Sequence, residues 1–148
     1  MTLFDTEEML NMQTEGAMET SFTPVPEGEW PAAISKEPAF RQGTSEKGND
    51  WVAMDLTWEI NDDSVREVTG MEKPTARQTL FLDFNDAGGL DLGKNSNIQL
   101  GRLREALGQN GAGPWSFGNL EGSSAVVRVE HEEYKDAVYG KVVGVAAA

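Results

Sequence analysis

The chain has 148 residues, 39% of them hydrophobic and 25% charged, with a formal net charge of -13. That is one domain's worth of sequence, with enough apolar residues to bury a core. Having no cysteine excludes a disulfide framework, a thiolate nucleophile and a cysteine zinc site, and the lack of any apolar run near about 18 residues excludes a membrane-spanning helix.

The charge is uneven. Residues 1–29 hold seven acids and no base, which makes -7; the other 119 hold 18 acids and 12 bases, which makes -6. The first stretch therefore reads as an acidic leader over residues 1–27. It is either a solubilising segment or a phosphate mimic that recruits a partner. Its start, Met1-Thr2-Leu3-Phe4-Asp5, lacks the basic and apolar regions of a signal peptide, so an intracellular location is expected. Within it, residues 5–13 predict a short amphipathic helix with Met9, Leu10 and Met12 on its apolar side. Gly16, Pro24 and Pro26 break residues 14–27 into linker.

Five strands and one helix are predicted over residues 28–146. The first strand, Glu29 to Glu37, alternates Trp30, Ala32 and Ile34 inward, and Pro31 points to an edge position. A polar loop, Arg41 to Asp50, leads to the second strand, Trp51 to Ile60. Val52, Met54, Leu56, Trp58 and Ile60 line one face of it, and Trp51, Ala53, Asp55, Thr57 and Glu59 the other. A charged connection, Asn61 to Thr75, precedes the third strand, Ala76–Phe84. There Leu80, Leu82 and Phe84 point in, while Arg77, Thr79, Phe81 and Asp83 point out.

The helix, Asn95 to Gly108, carries Leu100, Leu103 and Leu107 on one stripe. Asn95, Ser96 and Asn97 are its candidate caps and Gly108 its stop. Trp115 and Phe117 follow a Gly/Pro loop as packing plugs. The fourth strand, Ser123–His131, turns Ala125, Val127 and Val129 inward; the fifth, Ala137–Val145, returns through a hairpin turn at Glu132–Asp136. Three strands, a helix, then two strands is the order of an OB-fold. The expected architecture is therefore mainly β: an OB-like five-stranded barrel with one helix between the third and fourth strands.

Motifs that carry chemistry fail on their own terms. Gly88 to Asn95 approaches a P-loop, but Asn95 stands where the magnesium-binding hydroxyl belongs, and Asp91 faces the phosphate position. Asp83, Asn85 and Gly88 open like an EF-hand loop, yet Ala87 and Lys94 occupy ligand positions. His131 is the only histidine, which removes multi-histidine metal sites, and it reads as a surface residue among Glu130, Glu132 and Glu133. No catalytic residue, metal or cofactor is expected.

Single-strand binders stack bases on aromatic faces and follow the backbone with cations. In an OB-fold that surface lies on the second and third strands, flanked by two loops. The candidate nucleic-acid-binding residues are accordingly Trp51, Arg77 and Phe81 on the strands, Phe40, Arg41 and Lys47 around the first loop, and Tyr134 and Lys135 on the last hairpin. Asp55, Glu59 and Asp83 share the strand face and oppose phosphate.

A set of short motifs adds to this. Pro26, Gly28 and Trp30 lead into the first strand, and Ser45, Lys47 and Gly48 precede the second. Leu103, Ala106, Leu107 and Gly108 end the helix. Leu120 and Gly122 come before the fourth strand, and Tyr139, Lys141 and Val142 lie on the fifth. In this order, over residues 20–146, they resemble a phage OB-fold family first catalogued as a domain of unknown function and described as single-stranded-DNA-binding. The chain departs from such proteins in its acidic leader, and in ending on Val145 to Ala148 where they carry acids.

The resemblance implies a non-sequence-specific binder of single-stranded DNA in phage replication or recombination, working in the cytoplasm of an infected bacterium. The leader would meet replication or virion proteins. A homo-oligomer is compatible with this, and a membrane partner is not expected. The alternative is a virion structural or accessory protein that uses the β-barrel as a protein–protein module.

Overall fold

The computed structural model describes residues 5–148, so Leu3 and Phe4 of the leader lie outside the described residues. The elements are α1 (Thr6–Asn11), β1 (Gly28–Ile34), β2 (Ala39–Thr44), β3 (Asp50–Ile60), α2 (Asp63–Thr69), β4 (Thr75–Leu82), α3 (Ile98–Ala106), β5 (Ser124–Tyr134) and β6 (Ala137–Ala146). A 3-10 turn lies at Phe117–Leu120. Mainly β is correct. The strands form one sheet in the order β1-β5-β6-β4-β3-β2, and a further pairing of β1 with β3 closes five of them into a ring. All pairings are antiparallel except β4 with β6, where Arg77 lies beside Lys141.

The predicted alternation sets the core. Met54, Leu56, Trp58 and Ile60 of β3 are fully buried with Leu80 of β4, and Ala125, Val127 and Val129 of β5 join them. The Trp58 indole N–H donates to Gln78 Oε1 at 2.9 Å, so the largest core side chain leaves no polar atom stranded. Leu100 and Leu103 bring α3 onto this core, against β4 and β6, with Leu107, Trp115 and Phe117 packed at its margin. Pro31 sits where β1 has only β5 beside it; β3 joins from Ala32 onward.

Several expectations are corrected. Arg41–Thr44, read as loop, belongs to β2, which pairs with β3 from Ala39↔Asp55 to Thr44↔Asp50. This edge strand has one neighbour and a polar surface, so it lacks the hydrophobic alternation that marks a strand. The sheet therefore has six strands rather than five. The charged connection holds α2: Asp62 caps it by accepting from Ser64 N and Val65 N, Gly70 stops it at φ 69°, and Val65 is buried beneath it. With α1 and α3, both expected, this makes three α-helices among the described residues rather than two.

The predicted helix at Asn95–Gly108 is shorter, Ile98–Ala106, though Gly108 does stop it with φ 70°. Asn97 does not cap it with its side chain. Instead Asn97 Nδ2 donates to the carbonyls of Asp83 and Asp91 at 2.9 and 3.0 Å, and Oδ1 accepts from Asp83 N at 2.8 Å. Phe84 is not inward but 46% exposed, because β4 ends at Leu82 and only one bridge, to Leu90, continues it. The last hairpin is longer than expected: Tyr134 pairs with Ala137, and Lys135 and Asp136 form a two-residue turn, both with positive φ.

α1 forms within the predicted span, capped by Asp5, but ends at Asn11, which leaves Met12 in extended backbone beyond it, and residues 5–23 are all exposed. Body contact begins at Val25, which is buried against the site of Gly140. His131 holds it there. Its Nε2 lies 2.9 Å from the Val25 carbonyl, and its backbone N–H donates to Glu27. No described helix is long and apolar enough to cross a membrane.

Candidate nucleic-acid interface

Strand alternation puts a second set of side chains on the outer side of β3 and β4. Trp51, Asp55 and Thr57 alternate with the core residues of β3, and Arg77, Thr79 and Phe81 do so on β4. Trp51 and Phe81 meet edge-to-face with centroids 5.9 Å apart, across the diagonal of the ladder. Phe81 is 63% exposed and Trp51 half-buried. Gly43 of β2 lies under the indole: a Cβ there would stand 2.5 Å from the Trp51 ring, so only glycine lets the ring lie flat on the edge strand.

Arg41 completes this cluster. Its guanidinium carbon is 5.6 Å from the Trp51 ring centre, and its Nε donates to Asp55 Oδ2 at 2.7 Å. Thr79 Oγ1 donates to Asp55 Oδ1 at 2.6 Å. Burial alone would raise the Asp55 carboxyl. The hydrogen bonds from Arg41 and Thr79, with the charges of Arg41 and Arg77, outweigh it and hold Asp55 below the usual carboxylate range. The acid expected to repel phosphate is thus already matched, and its partner cation is engaged as well.

The face continues through the parallel neighbour of β4. Lys141 lies beside Arg77, and Tyr139 follows on the same side of β6, 54% exposed. Lys141 pairs with Glu132 at 3.6 Å. Neither Tyr139 nor Lys141 was among the candidates, although the buried Val142 next to Lys141 sets their outward parity. Gly43 was missed too, since the ring it admits comes from another strand.

Among the eight candidates, Trp51, Phe81, Arg41 and Arg77 come together on this face. Lys47 stands at the β2–β3 turn, beyond Trp51; Tyr134 and Lys135 stand at the β5–β6 turn, beyond Tyr139. The register places these two turns at opposite ends of the face. Lys135 Nζ lies 5.3 Å over the Tyr134 ring. Among the described residues, Arg77, Lys47 and Lys135 make no ion pair.

Phe40 is separated from the rest. It lies on the opposite side of β2 and packs edge-on against Phe117, centroids 5.2 Å apart, in a cluster that extends to Trp115 and Arg104. On β3 and β4 the acids that remain on the outer face are Glu59 and Asp83, and Asp83 Oδ2 accepts from Asn97 N at 3.1 Å. Next to β6, Glu130 and Glu132 are the cross-strand partners of Lys141 and Tyr139. The described residues bring no three His, Asp or Glu side chains together in a metal-holding group.

The arrangement can stack flat rings on Trp51, Phe81 and Tyr139, and can neutralise anions with Arg77 between cationic turns. In comparisons with known proteins, no family model and no curated protein matches this chain.

Proposed function

We propose that this chain is an OB-like β-barrel protein that binds single-stranded DNA passively, by base stacking and phosphate neutralisation, with no bond made or broken. The observation that supports this most is the outer face of β3 and β4. It presents the Trp51–Phe81 pair beside Arg41 and Arg77, with a cationic turn at each end. The barrel reading is supported by the five-strand ring and the parallel β4–β6 pairing, with β1 and β2 both pairing to β3 as the two halves of a broken first strand.

In this reading Trp51, Phe81 and Tyr139 stack bases, while Arg77, Lys47 and Lys135 contact phosphates. Arg41 orients the indole and gives up Asp55 only in part. Phe40 serves packing. A role in phage replication or recombination, in the cytoplasm of an infected bacterium, rests on the resemblance of residues 20–146. Titration of tryptophan fluorescence with a thymidine oligonucleotide, compared with Trp51→Ala, tests the proposal.

One observation favours a second reading, a virion structural or accessory protein. The leader leaves Met9 and Leu10 exposed on an acidic helix, and Met12 exposed just past its end. A protein partner, from a replication complex or a particle, suits that surface better than DNA does.

A further inference from the structure

At the Trp51 end of the face, a depression of about 510 Å3 opens between the start of β3, the end of β4 and the loop entering α3. Trp51 and Phe84 both line it. Phe84 stays outside the core because β4 has ended, which leaves its ring 46% exposed in the lining. The opening therefore has two aromatic side chains in its lining and shares Trp51 with the Trp51–Phe81 pair. A planar ring fits such walls.

Its charged groups are one-sided. Asp50, Asp83 and Asp91 line the opening with Ser96 and with Asn95. The Asn95 amide both donates, through nitrogen, and accepts, through oxygen, so the three carboxylates set the balance toward acceptors. Asp50 accepts from the Thr44 hydroxyl at 2.9 Å, Asp83 from Asn97 N at 3.1 Å, and Asp91 from Gly93 N at 2.8 Å and the Ser96 hydroxyl at 3.1 Å. An ionised carboxylate offers about four acceptor positions, so each keeps capacity to spare, whereas the Ser96 hydroxyl has already donated. Phosphate is repelled from this opening. A neutral ring that carries N–H donors is attracted to it. Cytosine, adenine and guanine each bear an exocyclic amino group; thymine offers its single ring N–H and two carbonyls.

We propose that this depression takes one unstacked base at the end of the stacked row and favours a base with an amino group over thymine. The proposal rests on the single-strand reading and adds a bias by base class to binding that reads no sequence. Lys47, on the turn just before Asp50, then holds the phosphate outside the acidic rim.

The test is fluorescence anisotropy of full-length protein with labelled dC15, dT15 and dU15 at pH 8, where cytosine is uncharged. dC15 is expected to bind about fivefold more tightly than dT15, as one or two added hydrogen bonds to a base edge allow. dU15, which lacks the thymine methyl group but keeps its single donor, is expected to follow dT15. Asp50→Asn should still bind both pyrimidine strands while narrowing the ratio to about twofold or less. Its one side-chain partner is the Thr44 hydroxyl, which the amide oxygen also accepts from. Phe84→Ala, at an exposed position, should narrow the ratio as well.

Equal and saturable binding of dC15 and dT15 would overturn the base pocket and leave the single-strand reading standing. So would a preference that both variants retain, or dU15 behaving like dC15. Failure of every oligonucleotide to bind would overturn the single-strand reading itself.

Discussion

Asp55 shows how one residue serves both stability and the outer face. It is partly buried on β3, yet Arg41, Thr79 and Arg77 keep it ionised. A carboxyl whose pKa is depressed by folding contributes stability above its unfolded value near about 3.9, and loses that contribution as pH falls through the folded value. Asp55→Asn is thus expected to lower the urea midpoint at pH 7, and the difference from wild type should shrink below about pH 4. A difference that stays constant down to pH 2 would show that Asp55 acts through something other than its charge. Gly43 is the complementary case, a residue whose part is to leave space. Its partner Trp51 lies across a strand pair, so no local pattern in the sequence reveals it.

At the scale of elements, the strands with one face in the core were readable, because period-two alternation over Met54–Ile60 and Ala125–Val129 coincides with full burial. The start of β3 departs from it, with Val52 partly buried and Ala53, assigned to the other face, fully buried. β2 was not, because an edge strand of Ala, Phe, Arg, Gln, Gly and Thr needs no apolar face. α2 carried legible signals in Asp62 and Gly70, but with one buried residue it produces no stripe. Asn97 looked like a cap and is a tie instead, joining the end of β4 to the loop before α3 through four hydrogen bonds with Asp83 and Asp91. Asn97→Ala should remove the three made by the side chain and cost about 1–3 kcal/mol, measured by urea unfolding. It also places alanine at φ 52°, a conformation asparagine tolerates better. A loss well under 0.5 kcal/mol would mean that the loop holds its shape without the tie.

Across the whole molecule, the candidate face was largely legible and its electrostatics were not. The outward aromatics and Arg77 follow from strand parity, whereas the capture of Arg41 by Asp55 and the addition of Tyr139 and Lys141 depend on which strands become neighbours. The acidity is concentrated where the chain touches nothing: residues 5–23 are exposed throughout and hold five acids, Asp5, Glu7, Glu8, Glu15 and Glu19. If the face binds DNA, those tethered charges repel it over the distance that salt screens, on the order of 10 Å at 0.1 M. Removing residues 1–23 is expected to tighten single-strand binding at low salt and to change little at 0.5 M. Equal affinities at low salt would show that the leader stays clear of the face.

The most direct measurement is the quenching of tryptophan emission by a thymidine oligonucleotide at several salt concentrations. The account predicts saturable quenching that is largely lost in Trp51→Ala. Binding should weaken with salt at a log–log slope of about -2, the value for three phosphate contacts to a single strand. No quenching at low salt, or quenching unchanged in Trp51→Ala, would contradict stacking on this face and leave the exposed leader as the working surface of the molecule.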